Sequence, residues 1–139
     1  MNVLSIQSAV SYGHVGNSAA VFALQRLGHE VWPIDTVRFS NHPGHGAFRG
    51  RASSAAELGE LIDGLAERGW FGGLDALLTG YLGAADQGPV LARAWARIKA
   101  ANPRAIWAPH PVIGDKGRIF VKPGIAAFLT VVAVRQAGL

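Results

Sequence analysis

The sequence predicts a single α/β domain with a mostly parallel sheet. Short apolar segments of strand length alternate with segments whose apolar residues recur at helical spacing, which is the pattern of βαβ units. The chain has 139 residues, the size of one domain. Half of its residues are hydrophobic and 16% are charged, so composition excludes a disordered chain.

The first predicted unit is a strand, a turn and a helix. The strand covers Val3–Gln7, and a glycine-containing turn follows over Ser8–Gly16. Asn17 or Ser18 supplies an N-cap for the helix, and Gly28 ends it. The apolar stripe of this helix consists of Ala20, Leu24 and Leu27.

The second unit contains a strand, a long loop and the clearest helix signal in the chain. The strand covers His29–Thr36 and should lie near a sheet edge, because Pro33 has no amide hydrogen. Residues 37–53 read as an irregular loop, which in a compact domain is usually functional or mobile. Ser54–Glu57 has capping-box spacing, and Gly69 closes the helix. Its stripe consists of Leu58, Leu61, Ile62 and Leu65.

The second half of the chain continues the alternation less regularly. Asp75–Thr79 and Ala105–Ala108 read as the third and fourth strands, with a helix from about Pro89 to Asn102 between them. Arg118–Val121 is a short fifth strand. The segment from Gly124 onward begins like a helix and then enters a β-branched run.

Composition also excludes several functional classes. The chain has no cysteine, which removes disulfides, thiolate metal sites and cysteine nucleophiles and favours the cytoplasm. The net charge is +4 with scattered arginines, so nucleic acid is not a predicted partner. The longest apolar run, Ile125–Val134, is shorter than the roughly 20 residues that cross a bilayer, and no signal peptide is recognisable.

Polar loops follow the first four predicted strands. In a parallel sheet these loops emerge at the carboxyl ends of the strands, where ligands bind. We therefore expect one pocket at this edge, lined by the loops Ser8–Gly16, Thr36–Arg51, Gly80–Gly88 and His110–Gly117. Tyr12 in the first of these loops is a candidate wall for a flat ring, or simple packing.

Known catalytic motifs are absent. Gly13–Ser18 could receive an anion at a helix N-terminus or form a plain turn, but Asn17 stands where a P-loop needs lysine. His42 and His45 could share a metal ion, although surface histidines are commoner, and no metal site is predicted from them. No G-x-S-x-G nucleophile elbow occurs.

The loop sequences resemble a known family. The segments that carry the resemblance are Ile6–Ser8, Tyr12–Ala20, Val31–Pro33, Phe39–His42, Gly80–Gly83 and Pro111–Asp115. In their order and spacing they resemble the pyridoxal kinases of the ribokinase-like superfamily, over about residues 1–128. The resemblance implies a three-layer α/β/α fold with a mostly parallel sheet. It also implies ATP-dependent phosphorylation of the 5'-hydroxymethyl group of pyridoxal, pyridoxine or pyridoxamine, with Mg²⁺, often a monovalent cation, and a homodimer.

The same resemblance assigns site residues. Ser8 would hydrogen-bond the pyridine ring system, Tyr81 would flank it, and the loop around Pro43, Gly44 and His45 would cover the substrate. His110 stands at an ATP and metal position where the family has aspartate. Because Mg²⁺ prefers oxygen ligands, an imidazole at this position is not expected to replace the family's aspartate as a metal ligand.

The family's Gly-Thr-Gly-Asp motif, which carries the anion hole and the catalytic base, does not occur in these 139 residues. The expectation is therefore the N-terminal part of one domain, truncated, with no catalytic residue of its own and negligible turnover. Two alternatives stay open: a non-catalytic vitamer-binding module or pseudoenzyme, and a hydroxymethylpyrimidine-type kinase.

Overall fold

A computed structural model describes residues 1–137 of the chain. The strands of its main sheet are β1 (Asn2–Tyr12), β2 (Glu30–Asn41), β3 (Gly50–Ala52), β4 (Ala76–Thr79) and β5 (Ile106–Pro109). The helices are α1 (Asn17–Arg26), α2 (Ala55–Glu67), α3 (Gln87–Ala101) and α4 (Ile125–Phe128). The order across the sheet is β3-β2-β1-β4-β5, and every neighbouring pair is parallel except β2 and β3. The mostly parallel α/β sheet is confirmed.

The sheet lies between two helical layers. Leu4 and Ile6 of β1 belong to the main core, into which α2 and α3 pack. Ser5 points to the opposite face, where its hydroxyl donates a hydrogen bond to Asn17 of α1 over 2.7 Å. Because side chains alternate along a strand, α1 covers one face of the sheet and α2 with α3 covers the other. The three-layer arrangement is therefore confirmed.

Helix α2 begins as the sequence predicts. The Ser54 hydroxyl accepts a hydrogen bond from the Glu57 amide (3.1 Å), and the Glu57 carboxylate accepts one from the Ser54 amide (2.9 Å). This capping box satisfies two amides that the first turn would otherwise leave unpaired. Leu58 and Ile62 are buried, whereas Leu61, on the margin of the stripe, is 56% exposed.

The predicted helix α1 is partly wrong. Its N-cap is Gly16 rather than Asn17 or Ser18, since both of these side chains bond to strands instead. Leu27, which belongs to the predicted apolar stripe, is 73% exposed. Phe22, which does not belong to it, is 70% exposed. Helix α1 therefore presents apolar side chains at the surface of this chain.

The irregular loop predicted over residues 37–53 is also wrong. Strand β2 continues to Asn41, a 3₁₀ turn follows over Pro43–His45, and β3 returns antiparallel to β2. Strand β1 likewise runs on through the predicted turn to Tyr12. Each strand is long because it pairs with the other, as Tyr12 does with Asn41. The placement of β2 near an edge is confirmed, since only the three-residue β3 lies outside it.

The C-terminal segment departs from expectation as well. Arg118–Ile119 pairs with Gly114–Asp115 in a separate two-stranded hairpin (β6 and β7), so the predicted strand over Arg118–Val121 is not part of the main sheet. After α4, the β-branched residues lie in a π-helical turn over Leu129–Ala133. The remainder of the predicted tail, residues 138–139, lies outside the described residues. Among residues 1–137, no helix combines the length and apolarity that a bilayer crossing requires.

Candidate functional site

Three neighbouring parallel strands bring predicted residues to one edge of the sheet. Ser8 lies in β1 two residues beyond Ile6, where the pairing of β1 with β4 ends, Tyr81 follows β4, and His110 follows β5. The Gly80 amide donates a hydrogen bond to the carbonyl of Ile6 (3.1 Å), and the His110 amide donates one to the carbonyl of Thr79 (2.7 Å). These bonds hold the start of the loop after β4 against β1, and the start of the loop after β5 against β4.

Ser8 lies against the N-terminus of α1. A Cβ on Gly16 would sit 2.1 Å from the Ser8 carbonyl oxygen and 2.4 Å from its Oγ, so only glycine fits there. Ser8 is 9% exposed, and its hydroxyl forms no hydrogen bond within residues 1–137. In that range, every fully buried side-chain polar atom has a hydrogen-bond partner. Because the Ser8 hydroxyl has none, it is not fully buried, and a ligand can reach it.

A buried polar network lies close to Ser8, between α1 and the strands β1 and β2. The Asn17 amide donates to the Ile34 carbonyl (3.1 Å) and to the Asp35 carboxylate (2.9 Å). Its carbonyl oxygen accepts from Ser5, whose hydroxyl in turn accepts from the Gln7 amide over 2.9 Å. These hydrogen bonds orient the side-chain amides of Asn17 and Gln7. They also connect the start of α1 to β1 and β2.

The β1 and β2 register shifts where the strands reach Ser8. Gln7 pairs with Asp35 and Ala9 pairs with Arg38, so β2 has one additional residue in this interval. Bulges of this kind redirect side chains and often lie beside functional sites. Thr36 lies in the bulge, and its hydroxyl donates a 2.6 Å hydrogen bond to the carbonyl of Tyr81.

Tyr81 is half-buried at the margin of the main core. Burial raises the pKa of the Tyr81 phenol above its ordinary value of 10.0. The hydroxyl therefore stays protonated at neutral pH and can donate a hydrogen bond. Its ring and hydroxyl suit the side of a pocket for a flat polar ligand.

Pro43, Gly44 and His45 lie on a projecting segment that we call the flap, residues 38–52. The His45 ring packs at 6.0 Å from the rings of both Tyr12 and His42. The Gly44 amide donates to His42 Nδ1 over 3.0 Å. A Cβ on Gly44 would lie 2.8 Å from the same nitrogen, so this tight turn favours glycine.

The predicted residues thus form two groups. Ser8, Tyr81 and His110 lie at the sheet edge, whereas Pro43, Gly44 and His45 lie on the flap beyond it. Within the described residues, the aromatic contacts of His45 are with the ends of β1 and β2 and not with Tyr81. The substrate roles of all six residues stay predictions.

Two cavities lie away from these residues. One, of about 250 Å³, opens between β2, β3 and α2 and has charged walls. The other, of about 310 Å³, is an apolar groove between β2 and α2. Neither cavity is lined by any of the six predicted residues; the first is lined by Asp35, Arg38, Arg51, Ser53, Glu57, Glu60 and Leu61, and the second by Val31, Trp32, Pro33, Ile34, Leu61 and Leu65.

The residues at the edge do not fit a Mg²⁺ site. Among residues 1–137, no three His, Asp or Glu side chains lie together in a way that could hold a metal ion. His110 follows β5 and offers an imidazole, which is a poor ligand for this hard cation. Asp115 lies in the separate hairpin and is exposed.

Sequence reasoning missed two buried polar residues near the edge, Asn17 and Gln87. Gln87 is fully buried at the start of α3 and bonds to three other segments. Its signal was present: Gln87 falls on the same helical stripe as Leu91, Ala94 and Ile98. A polar residue on a buried stripe indicates a hydrogen-bonded network.

Comparison with known proteins identifies related chains. No protein-family model matches. The pyridoxal kinase PdxY of Rubrobacter xylanophilus is 51% identical over 138 residues, which are 99% of this chain and 48% of the relative. That of Corynebacterium diphtheriae is 55% identical over 93% of this chain and 46% of its own length. The structure of pyridoxal kinase from Leishmania donovani in complex with ADP and pyridoxamine matches with a TM-score of 0.87 at 35% identity, covering 91% of this chain and 45% of that one.

The chain spans about half the length of the curated relatives that it matches. The relatives that match in sequence and those that match in fold are all pyridoxal kinases. The sequence match covers 99% of this chain and the structural match 91%. This chain is therefore a homologue of the pyridoxal kinases over about half of their length, and its α/β fold matches that of their ribokinase-like structures.

Proposed function

We propose that this chain is the vitamer-binding part of a pyridoxal kinase. It would bind pyridoxal, pyridoxine or pyridoxamine for ATP-dependent phosphorylation of the 5'-hydroxymethyl group. The observation that carries this proposal is the unpaired hydroxyl of Ser8 at the carboxyl edge of the sheet, in a homologue of the pyridoxal kinases. Ligands of parallel α/β sheets bind at this edge.

The chemistry of the edge matches that of the vitamers. A pyridine ring with hydroxyl substituents needs a few polar contacts and an apolar or aromatic wall. Ser8 offers a hydroxyl that can donate or accept, and Tyr81, which follows the neighbouring strand β4, offers a half-buried ring. The flap, with Pro43, Gly44 and His45, would cover the bound ring and exclude water.

The phosphate donor is proposed to be ATP with Mg²⁺ and a monovalent cation, as the resemblance implies. The Leishmania donovani relative was solved with ADP. His110 directly follows β5 at the carboxyl edge, and the resemblance gives it an ATP and metal position where the family has aspartate. Because the described residues do not fit Mg²⁺, we assign no metal-dependent step to them.

Assembly and location complete the proposal. We propose that residues 1–139 are the N-terminal part of one ribokinase-like domain and that the protein acts in the cytoplasm as a homodimer. Phe22 and Leu27 of α1 are 70% and 73% exposed, which supports association through an apolar surface. The absence of cysteine supports a reducing compartment.

Calorimetry with pyridoxal tests the proposed function. We expect saturable binding without ATP, and a Kd about tenfold weaker in Ser8→Ala, because one hydrogen bond to the ligand is lost. Ser54→Ala is the matched control: it removes a serine hydroxyl at the start of α2 and should leave the Kd unchanged. No binding of any vitamer, tighter binding of a hydroxymethylpyrimidine, or an unchanged Kd in Ser8→Ala would contradict the proposal.

A further inference from the structure

Gln87 joins three segments around the Tyr81 loop. Its side chain is completely buried at the first residue of α3. Its amide nitrogen donates hydrogen bonds to the carbonyls of Thr36 (2.9 Å) and Ser53 (2.8 Å). Its carbonyl oxygen accepts a hydrogen bond from the Gly83 amide over 2.9 Å. Both ends of the side-chain amide are therefore used.

These bonds connect the loop to the base of the flap. Thr36 lies in the β2 bulge and Ser53 directly follows β3, so the two carbonyls lie at the base of the flap, one on each of its two sides. Gly83 lies in the loop that carries Tyr81. A Cβ on Gly83 would lie 2.4 Å from Val37 Cγ1 and 2.9 Å from Ala52 Cβ, so the loop is pressed directly onto the same two strands.

The loop is fixed on both sides of Tyr81. On one side, the Gly80 amide bonds to the carbonyl of Ile6 in β1. On the other, the Gly83 amide bonds to Gln87. Between them, the Tyr81 carbonyl accepts from the Thr36 hydroxyl over 2.6 Å. Thr36 thus contacts both Tyr81 and Gln87, and the three bonds leave the Tyr81 backbone little freedom.

The chemistry of this position is specific to glutamine. The site requires one acceptor for an N–H group and two donors for carbonyl groups, which a glutamine side-chain amide supplies. Glutamate would place a carboxylate against two carbonyl oxygens. Methionine would leave the Gly83 amide and the Ser53 carbonyl without the bonds that Gln87 supplies, and the Thr36 carbonyl would keep only its bond from the Ser53 amide (3.0 Å). Buried backbone groups without partners are strongly unfavourable, so loss of the amide should release the loop.

We propose that Gln87 is a positioning residue for vitamer binding, which holds the Tyr81 loop against the base of the flap. Gln87 is fully buried and would not touch the ligand; it acts through Tyr81 and through Thr36 and Ser53. This inference rests on the proposed function for its effect on binding. Its effect on Tyr81 can be measured without any ligand.

The test uses two readouts on Gln87→Met, a substitution of similar length that removes the three hydrogen bonds. The chain has two tyrosines. In a Tyr12→Phe background, 3-fluorotyrosine therefore gives a single ¹⁹F resonance, which reports the environment of Tyr81 directly. The second readout is the calorimetric Kd for pyridoxal in the same background.

We expect the ¹⁹F resonance of Gln87→Met to move toward that of the unfolded chain, and the Kd to weaken about tenfold. Thr36→Val, which removes the bond to the Tyr81 carbonyl, should move the resonance in the same direction. Asn102→Ala is the matched control. Asn102 follows the opposite end of α3, and its amide donates to the carbonyl of Leu74 over 3.0 Å. This variant can lower stability but should leave the resonance and the Kd unchanged.

An unmoved ¹⁹F resonance in folded Gln87→Met would overturn the proposal, as would wild-type affinity in that variant. If the parent chain binds no vitamer, the proposed function fails, and the resonance still decides whether Gln87 holds Tyr81. If Gln87→Met does not fold, hydrogen exchange of the unmodified chain decides. Saturating pyridoxal should slow exchange of the Gly83 amide because binding and loop closure are linked. Unchanged exchange at Gly83 would refute the role.

Discussion

Ser8 and Gly16 show at the scale of single residues how the candidate site is built. The Ser8 hydroxyl has no partner within the described residues, and the backbone of Gly16 closes directly onto it. Gly16 also has a φ of +52°, a conformation that other residues adopt only with strain. Both the close contact and the backbone conformation therefore require glycine at position 16, at the point where α1 meets β1.

A substitution separates these two requirements. Gly16→Ala should destabilise the chain by about 3 kcal/mol or more, because a methyl group would overlap Ser8 and the backbone would also be strained. Gly28→Ala is the control: Gly28 has a φ of +83°, but a Cβ there would meet nothing within 4 Å. It should cost only the strain, about 1 kcal/mol. Equal losses of unfolding free energy in urea titrations would show that Ser8 is not packed against Gly16.

At the scale of elements, α2 is held at its start by a local charge. The hydrogen bond from the Ser54 amide, followed by that from the Ser54 hydroxyl, holds the pKa of Glu57 below its ordinary value of 4.5. A carboxyl group whose folded-state pKa is lowered stabilises the fold above its unfolded-state pKa. That contribution is lost as the pH falls through the folded-state value.

Glu57→Ala should therefore lower the free energy of unfolding at pH 7, and the difference from the parent chain should shrink below pH 4.5. Denaturant titrations at several pH values measure it. The double variant Ser54→Ala/Glu57→Ala should cost less than the sum of the single variants, because the two side chains bond to each other. A difference that grows on acidification would contradict this explanation.

The elements differ in how far sequence predicts them. Helix α2 follows from local signals, the capping box and an apolar stripe, and it forms where predicted. The extension of β2 to Asn41 does not follow, because Ser40 and Asn41 have no strand pattern and are held by pairing with the end of β1. The predicted N-cap of α1 is wrong for a similar reason, because tertiary contacts override the local signal. Asn17 is a common N-cap residue, yet here the tertiary bonds to Ile34 and Asp35 take its side chain.

At the scale of the whole molecule, the candidate site is assembled from distant parts of the chain. Ser8, Tyr81 and His110 reach one edge only because β1, β4 and β5 are parallel neighbours. Sequence could place each of them after a strand, and the parallel topology rule then predicts the shared edge. The position of His45 could not be predicted in this way, since it depends on how β1 and β2 continue together beyond Ser8.

We expect the 139-residue chain to bind pyridoxal but not to catalyse its phosphorylation. Phosphoryl transfer depends on groups that stabilise the charge of the moving phosphate and activate the hydroxyl. The resemblance places these groups in a Gly-Thr-Gly-Asp motif, which residues 1–139 do not contain. A coupled ATP assay with pyridoxal should therefore detect negligible turnover for the 139-residue chain, with the Rubrobacter xylanophilus relative assayed in parallel. Turnover comparable to that of the relative would be incompatible with this expectation.

The central claim is that a vitamer binds at the carboxyl edge, beneath the flap. The most direct measurement is a pyridoxal titration followed by ¹⁵N–¹H correlation spectra of the assigned chain. We predict that the amides of Ser8, His45, Tyr81 and His110 shift together and saturate at one Kd. Shifts confined to the groove between β2 and α2, around Trp32 and Leu61, would contradict the claim.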